Sequence, residues 1–430
     1  MSRTFLFMPE SAYGPTNNCI GIGNVLRQRG HRVVFAAEAS WAGKLEALGF
    51  QEDLVDLAPP PEPGEDQDAG QFWTDFIRDT APEFRKPTIE QLSTFVQPTW
   101  QALIDGAMYC QGQLTEIIER QRPDVVIEDN VNCFPALVTS PAPFVRIMSC
   151  NPLEVRGTDV PPVFSGYPSN DRTDWDRFRA EYERTHRPMW QAYDEWVRSC
   201  GAPGLSDLDF IHTSEHLNIY TYPEVIDYTD ARPMPGRWER LDSSVRATDA
   251  PFAVPDQLRD LPGSLIYLSL GSLGSADVEL MQRLVDVLGT TPHRYIVSMG
   301  PQHDQYELAD NMWGEQQVPQ VNVIPLCDLV ITHGGNNTTP ESIHFGKPMV
   351  VLPLFWDQYD NAQRVHERGF GVRLDTYRFT PEQLQNAVRD ILSDTALRDR
   401  AASAGAEIRA RDGLSAAADL IEQVAAQARV

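Results

Sequence analysis

The chain has 430 residues, 42% of them hydrophobic, and carries a net charge of −25 from 36 basic and 61 acidic side chains. That length and apolar content predict two or three domains with large cores, and they exclude a disordered protein. The negative charge disfavours nucleic acids and anionic membranes as partners. Any phosphate group is therefore expected to be held locally, by backbone N–H groups.

No apolar stretch reaches the ~20 residues that a membrane-spanning helix needs. The apolar run at the N-terminus lacks the length and the small-residue cleavage site of a signal peptide, which predicts a cytoplasmic protein. The six cysteines show neither C-x-x-C pairs nor zinc-ligand spacing. They are expected to be reduced thiols, and no metal site is predicted.

The first fifty residues predict a strand, a helix and a second strand. Residues 4–8 form an apolar strand, and a polar loop at 10–18 separates it from apolar residues at helical spacing in 19–29. The second strand is expected at 32–37. Repeats of this kind build a parallel sheet with helices on both faces. Because ligands bind beyond the carboxyl ends of such strands, the loop at 10–18 is expected to face a cleft.

The rest of the first half continues this pattern, with strands expected at 124–127 and 144–148. Pro, Glu, Asp and Gly dominate residues 58–70, which predicts a loop there. An aromatic-rich helical stretch begins at Trp175. Its rings are expected to pack a helical pair, or in part to line an apolar ligand pocket.

A weakly periodic stretch rich in Pro, Asp and Arg predicts a linker at 228–262. It separates a first domain, 1–227, from a second α/β domain, 263–405, and residues 406–430 are expected to form a terminal helix. Two α/β domains around a linker predict a cleft between them. The strands of the second domain are expected at 265–270, 294–299, 321–325, 328–332 and 349–353.

The most informative stretch runs from residue 318 to 361. A strand at 328–332 is followed there by H-G-G-N-N-T-T-P-E, residues 333–341. The glycines predict a turn with little side-chain bulk, and Asn-Thr-Thr at 337–339 is expected to cap a helix that opens near Pro340. Backbone N–H groups at that helix start, beside two hydroxyls, suit a diphosphate without any lysine.

Four side chains of this stretch carry the predicted ligand contacts. His333 is expected at the mouth of the turn as a donor to a phosphate oxygen. Glu341 lies one turn into the helix and can accept hydrogen bonds from two adjacent ribose hydroxyls. Asp357 and Gln358 follow a buried strand, so they are expected at its carboxyl end, where they can bond sugar hydroxyls.

The order H-G-G-x-N-x-T-x-E, followed by D-Q-x-x-N, resembles the donor-binding signature of the UDP-dependent glycosyltransferases of family 1. The pattern is similar both to bacterial macrolide-type enzymes and to plant and animal members. The resemblance implies a GT-B fold, in which two Rossmann-like domains bind the acceptor (N-terminal domain) and the nucleotide sugar (C-terminal domain). It also implies that the terminal helix crosses back to the first domain. Transfer would be inverting and metal-independent, with no cofactor besides the UDP-sugar co-substrate.

Position by position, the resemblance assigns contacts with the donor. The turn after the first strand of the second domain matches the family's Gly-Ser turn, which approaches the diphosphate, and the residue before Pro319 would meet the base through its backbone. The residues assigned to the nucleoside diphosphate are Ser269, Gly271, Ser272, Val318, His333, Gly335, Asn337 and Thr338, with Glu341 at the ribose and Asp357 and Gln358 at the sugar.

The chain departs from the family pattern where a tryptophan usually stacks on the uracil. Gln317 stands at that position, and the nearest indole belongs to Trp313. The preference for a nucleotide base is therefore open.

A second departure concerns the catalytic base. The family has a histidine in its N-terminal loop, and here that position is Pro15. The companion carboxylate is present as Asp129, at the end of a strand expected to face the cleft. The candidates for taking the proton of the acceptor are Asp129, Glu10 and Glu128, because a carboxylate in an apolar cleft can act as a base. Alternatively, the acceptor is already acidic, such as a phenol, and needs little help from a base. A carbon nucleophile on an activated aromatic ring is a further alternative.

Three functions follow from these features. The first is transfer of a hexose, with UDP-glucose as donor, to a hydroxyl of a small aromatic or polyketide-like acceptor. The second is transfer to carbon or nitrogen with Asp129 as base. The third is a non-catalytic protein that binds nucleotide sugars, which the missing histidine makes conceivable. The sequence leaves open the acceptor and the oligomeric state.

Overall fold

The computed structural model describes residues 2–59, 79–234, 237–246 and 250–427. Most of the loop predicted at 58–70 lies outside these residues. All six cysteines are free thiols. In the described part of the chain, no helix combines the length and the apolar character needed to span a bilayer.

The first half of the chain is built on one entirely parallel sheet of seven strands. The strands are β1 (Thr4–Pro9), β2 (Arg32–Phe35), β3 (Gln51–Glu52), β4 (Val125–Asp129), β5 (Phe144–Met148), β6 (Leu217–Thr221) and β7 (Trp238–Leu241). Their spatial order is β3-β2-β1-β4-β5-β6-β7. The central strands are buried over their whole length, as expected of a sheet covered on both faces.

Helices cover this sheet and extend beyond it. They are α1 (Tyr13–Gln28), α2 (Lys44–Ala47), α3 (Thr88–Gln91), α4 (Gln97–Gln121), α5 (Pro135–Val138) and α6 (Trp175–Ser199). A π-helical segment, Leu92–Val96, joins α3 to α4, and a short 3₁₀ turn, Pro152–Glu154, follows β5.

The second half contains a six-stranded parallel sheet. Its strands are β8 (Leu265–Ser269), β9 (Arg294–Ser298), β10 (Met312–Glu315), β11 (Leu329–Thr332), β12 (Met349–Val351) and β13 (Gly371–Arg373), in the order β10-β9-β8-β11-β12-β13. The helices of this half are α7 (Asp256–Arg259), α8 (Gly271–Gly274), α9 (Val278–Leu288), α10 (Gln320–Val323), α11 (Thr338–His344), α12 (Gln358–Glu367), α13 (Pro381–Ser393), α14 (Thr395–Arg409) and α15 (Gly413–Gln427).

Both sheets reverse their strand order at the centre, where β1 lies beside β4 and β8 lies beside β11. Connections leave such a pair of neighbouring strands towards opposite faces of the sheet, which opens a crevice at their carboxyl ends. The predicted fold class, two Rossmann-like domains with a cleft between them, is confirmed.

The last helix returns to the first domain. The side chains of Ala418 and Ile421 on α15 are fully buried in the apolar core that α1 forms with the first sheet. Arg29 at the end of α1 pairs with Asp419 and Glu422, each at 2.7 Å. The helix begins at Gly413, seven residues beyond the predicted start at 406.

Three local predictions need correction. β7 lies inside the predicted linker and forms the edge of the first sheet; an edge strand buries too little to show periodicity. The strand predicted at 321–325 is helical, because prolines at 319 and 325 bound a single turn that buries Val323 and Ile324 together. The loop predicted at 10–18 is shorter, since α1 starts at Tyr13.

Candidate functional site

The turn that follows β11 is shaped around the ring of His333. Gly271 has a left-handed backbone, with φ of +72°, and a Cβ there would lie 2.8 Å from Cε1 of His333. A Cβ on Gly335 would overlap the same ring. The two glycines, one in each turn, therefore leave room for the imidazole. Burial lowers the pKa of His333 to about 4, so the ring is neutral near pH 7 and can donate one N–H.

Next to His333, the turn after β8 supplies the predicted serines. Ser269 is buried, and its hydroxyl accepts a hydrogen bond from the backbone N–H of Gly271 at 3.3 Å. Ser272 is exposed at the start of α8. The structure thus brings the Gly-Ser turn and the His333 turn together, at the carboxyl ends of β8 and β11.

Helix α11 starts slightly earlier than predicted. Thr338 is its first residue, and Asn337 occupies the N-cap position without a capping hydrogen bond from its side chain. The backbone N–H of Thr339 donates to the carbonyl of Gly335 at 3.0 Å. The backbone N–H groups of Asn337 and Thr338 therefore precede the hydrogen bonds of the helix. The hydroxyl of Thr338 donates to Oε1 of Gln320 at 3.2 Å.

Glu341 is buried and has partners on both carboxylate oxygens. Nη1 of Arg246 donates to Oε1 at 3.0 Å, and Nε2 of Gln320 donates to Oε2 at 2.5 Å. Arg246 comes from the chain between the two sheets. Sequence reasoning gave no role to either partner. Gln320 at least belongs to the Val-Pro-Gln segment, whereas no pattern in the sequence distinguishes Arg246.

The region predicted to contact the nucleotide base is only partly enclosed. Val318 is half-buried and packs in one apolar cluster with Trp313 and Phe252, whose rings lie 5.6 Å apart. Gln317, at the position of the family's stacking tryptophan, is exposed.

Asp357 and Gln358 lie at the carboxyl end of β12, as predicted, but both are buried. The backbone N–H of Asn151, in the first domain, donates to Oδ2 of Asp357 at 2.8 Å, and the side chain of Asn336 bonds the same oxygen. Burial raises the pKa of Asp357 to about 6. Oε1 of Gln358 accepts the backbone N–H of Leu354 at 3.1 Å. The predicted sugar-binding loop is therefore also a contact between the domains.

A second contact between the domains lies one helical turn further on. The carboxylate of Asp360 accepts the backbone N–H groups of Phe164 (2.6 Å) and Gly166 (2.8 Å). Burial raises the pKa of Asp360 to about 8. Trp356, with φ of +56°, places its ring 4.5 Å from that of Phe164 and 5.3 Å from that of Trp100. The loop predicted to bind the sugar thus contacts loops of the first domain through Trp356 and Asp360.

On the predicted acceptor side, a small pocket with a cavity volume of about 10 Å³ lies at the carboxyl end of β4. Pro15, in the first turns of α1, and Asp129 both line it. Oδ1 of Asp129 accepts the backbone N–H of Ser149 at 3.2 Å, and Oδ2 accepts the hydroxyl of Ser149 and faces the thiol of Cys19 at 3.9 Å. Burial is the main cause that raises the pKa of Asp129 to about 7.

The other two predicted carboxylates do not line the pocket. Successive side chains of a strand point to opposite faces, and Glu128 turns away from the pocket into a fully buried ion pair with Arg146 at 3.0 Å. This placement argues against Glu128 as a base. Glu10 bonds within its own loop, where Oε1 accepts the N–H of Ala12 and the hydroxyl of Ser11, both at 3.2 Å.

One carboxylate of this pocket has no counterpart in the sequence predictions. Glu154 ends the 3₁₀ turn after β5 and lines the pocket with Pro15 and Asp129. The Asn-Pro pair after β5 indicates a turn, but nothing in the sequence shows that the turn ends at the pocket. The aromatic rings of α6, by contrast, pack against other helices and do not line this pocket.

In the part of the chain that the structure describes, no three His, Cys, Asp or Glu side chains are grouped to hold a metal ion. The predicted absence of a metal requirement concerns activity and stays a prediction.

Comparison with known proteins identifies relatives over the whole length. Residues 282–422 match the family model of the erythromycin biosynthesis protein CIII-like C-terminal domain. The chain is 25% identical to the NDP-glycosyltransferase YjiC of Bacillus subtilis (strain 168), covering 96% of this chain and 94% of that protein. It is 23% identical to the oleandomycin glycosyltransferase of Streptomyces antibioticus, over 96% of this chain and 88% of that one.

Solved structures show the same fold. The glycotransferase of kitacinnamycin superposes with a TM-score of 0.69 at 22% identity and covers 98% of this chain and 99% of its own. The glycosyltransferase VinC, solved in complex with dTDP, gives a TM-score of 0.65 at 17% identity, with 99% and 100% coverage.

Proposed function

We propose that the chain is a family 1 glycosyltransferase that transfers glucose from UDP-glucose to a hydroxyl of a small aromatic or polyketide-like acceptor; the glycosyltransferase relatives support this proposal. The observation that carries the proposal is the meeting of three predicted donor contacts, His333, Glu341 and Asp357, around the carboxyl ends of β11 and β12.

The diphosphate is proposed to lie against the His333 turn. The neutral imidazole would have to turn its one N–H from the backbone of Ser269 towards a phosphate oxygen, and the backbone N–H groups before Thr339 precede the first hydrogen bond of the helix. Beside them, the Thr338 hydroxyl can turn from Gln320 towards an anion. These donors stabilise the charge that develops on the leaving nucleoside diphosphate.

A ribonucleotide donor is proposed because of Glu341. Its two carboxylate oxygens can accept both hydroxyls of a ribose, whereas a 2′-deoxyribose offers one. A bound ribose would replace Arg246, which now donates to Oε1 at 3.0 Å. The dTDP complex of VinC supports the opposite choice for that protein, so the nucleotide needs a direct test.

Glucose is proposed as the sugar because two buried polar side chains, Asp357 and Gln358, are expected at its hydroxyls. Asp357 accepts from Asn151 and Asn336 on one oxygen, Oδ2, which leaves Oδ1 for a sugar hydroxyl. The hydroxyl of the acceptor would reach into the small pocket beside Pro15 and attack C1 of the glucose opposite to the leaving diphosphate, which inverts that carbon.

A donor and acceptor screen by mass spectrometry tests the proposal. The protein is incubated with UDP-glucose or TDP-glucose and a panel of phenols and polyketide alcohols. We expect a hexose mass gain that is larger with UDP-glucose and is lost on acid hydrolysis. A product that resists acid would indicate transfer to carbon, and a preference for TDP-glucose would contradict the ribose assignment.

A further inference from the structure

The acceptor pocket contains a carboxylate oxygen that no hydrogen bond occupies. Glu154 lines the pocket with Pro15 and Asp129. Its Oε1 is shielded from solvent and has no hydrogen-bond partner among the described residues. Polar atoms buried in this way are rare in native proteins and call for an explanation.

The predicted carboxylates are less suited to take a proton. Asp129 already accepts hydrogen bonds from Ser149 on both oxygens. Glu128 is fully buried in the ion pair with Arg146, and Glu10, whose Oε1 is bonded within its own loop, does not line the pocket. Among these carboxylates, Glu154 is the one that combines a place in the pocket with an unoccupied oxygen.

Glu154 lies three residues after a residue that contacts the predicted donor side of the cleft. Asn151, three residues earlier, donates its backbone N–H to Asp357 at 2.8 Å and its side-chain amide to Asn361 at 2.8 Å. The side chain of Asn151 also accepts the N–H of Leu153 at 3.0 Å and so begins the turn that ends at Glu154. The acceptor pocket and the proposed sugar site are therefore joined through this turn.

On this geometry, and resting on the proposed function, we propose that Glu154 is the general base. Oε1 of Glu154 takes the proton of the acceptor hydroxyl while the oxygen of that hydroxyl forms its bond to C1 of the hexose. The bond from C1 to the phosphate oxygen breaks at the same time, and its electron pair leaves with the nucleoside diphosphate. Glu154 is then a neutral acid, and it returns the proton to water after the product leaves.

The charges around Glu154 favour this chemistry. Burial is the largest cause that raises its pKa well above the ordinary value, followed by the nearby carboxylate of Asp357. Asp360 and Asp209 act in the same direction, and Arg156 opposes them. A carboxylate with a raised pKa is a stronger base, so proton transfer from a weakly acidic alcohol becomes easier.

The test compares Glu154→Gln with wild type on acceptors of graded acidity. We expect kcat/KM for alcohols to fall by about 10²–10⁴-fold, and the loss to shrink towards acidic phenols, which arrive partly ionised. Glu154→Asp keeps a carboxylate and should recover part of the rate. The rise of kcat/KM with pH in the wild type should be missing in Glu154→Gln. Glu195→Gln, an exposed position on α6, is the matched control and should behave as wild type.

Two outcomes would overturn the assignment. One is an equal dependence on acceptor pKa in wild type and Glu154→Gln. The other is a dependence that disappears in Asp129→Asn and remains in Glu154→Gln, which would make Asp129 the base. Calorimetric titration with UDP shows whether each variant is folded and binds donor. A wild type that binds UDP but transfers hexose to no acceptor would contradict the proposed function itself, and the base role with it.

Discussion

The carboxylates on the two sides of the cleft are held in different ways. On the donor side, Asp357 and Asp360 accept backbone N–H groups from the first domain. On the acceptor side, Asp129 is bonded by Ser149 of its own domain, and Glu154 keeps one oxygen without a partner. The carboxylates of Asp357 and Asp360 join the domains, whereas Glu154 has an unbonded oxygen for its proposed role as base. Substitutions on the donor side should therefore affect binding and stability more than proton transfer.

The largest effect on that side is expected from Glu341→Ala. Two hydrogen bonds to a charged group are lost from the proposed ribose site, so UDP should bind about 1–3 kcal/mol more weakly, about 5–150-fold in Kd. Calorimetric titration measures this, with Glu307→Ala, an exposed position in the same domain, as the control. Unchanged affinity in a folded variant would disprove the ribose assignment.

Asp360→Ala tests the contact between the domains. The substitution removes both oxygens that accept the N–H groups of Phe164 and Gly166 and leaves these buried donors without an acceptor. The cost is about 1–3 kcal/mol, visible as a lower thermal midpoint. Asp399→Ala, an exposed position on α14, should leave the midpoint unchanged. Equal midpoints for both variants would show that this contact contributes nothing.

The buried carboxyl groups on the two sides of the cleft also predict how the stability of the fold depends on pH. Burial raises the pKa of Asp360 to about 8 and that of Asp129 to about 7, above their values in an unfolded chain. Their stabilising contribution is complete at low pH and is lost as pH rises through the folded values. Burial lowers the pKa of His333 and His344 to about 4. Between about pH 4 and 6.5 these side chains bind fewer protons in the folded state than in the unfolded state, so their contribution to stability increases with pH over that range.

Stability should consequently decline between about pH 6.5 and 8.5, with at most ~1.4 kcal/mol per pH unit from each carboxyl group. Thermal midpoints measured at three pH values across this window check the sign. Asp360→Asn should make the decline shallower. A midpoint that rises with pH across the window would contradict the account.

The smallest expected effect is that of a chelator. Because His333, Thr338 and the amides of the turn are proposed to stabilise the leaving diphosphate, EDTA should leave turnover unchanged. Activity lost in EDTA and restored by magnesium would overturn this prediction.

The donor side could be predicted from the sequence because its residues are close together in the chain. Residues 333–341 span one turn and one helix start, and the glycines at 271 and 335 are required by the bulk of a single ring. These requirements of the turn and of the helix start act between residues close in the chain, so they can be recognised from the order of residue types. The partners of Glu341 and Asp357 could not be predicted in the same way, because Arg246 and Asn151 reach them from other segments.

The acceptor side depends on contacts across the fold. Glu128 and Asp129 are adjacent in sequence, and only the way β4 lies in the sheet decides which of them faces the pocket. Polar residues from 13 to 18 resemble a loop, yet Pro15 is tolerated in the first turn of α1. Glu154 owes its position to the turn that Asn151 begins; the Asn-Pro pair indicates a turn, but not that its last residue lines the pocket.

The return of α15 to the first domain also determines the order in which the protein can be completed during synthesis. Ala418 and Ile421 fill the core beside α1, so the domain that leaves the ribosome first lacks part of its interior until residues 413–427 have been made. Domains generally fold as units in the order of their synthesis. Here the second sheet can be finished first, and the nascent first domain would be exposed to aggregation or in need of chaperones for the interval between.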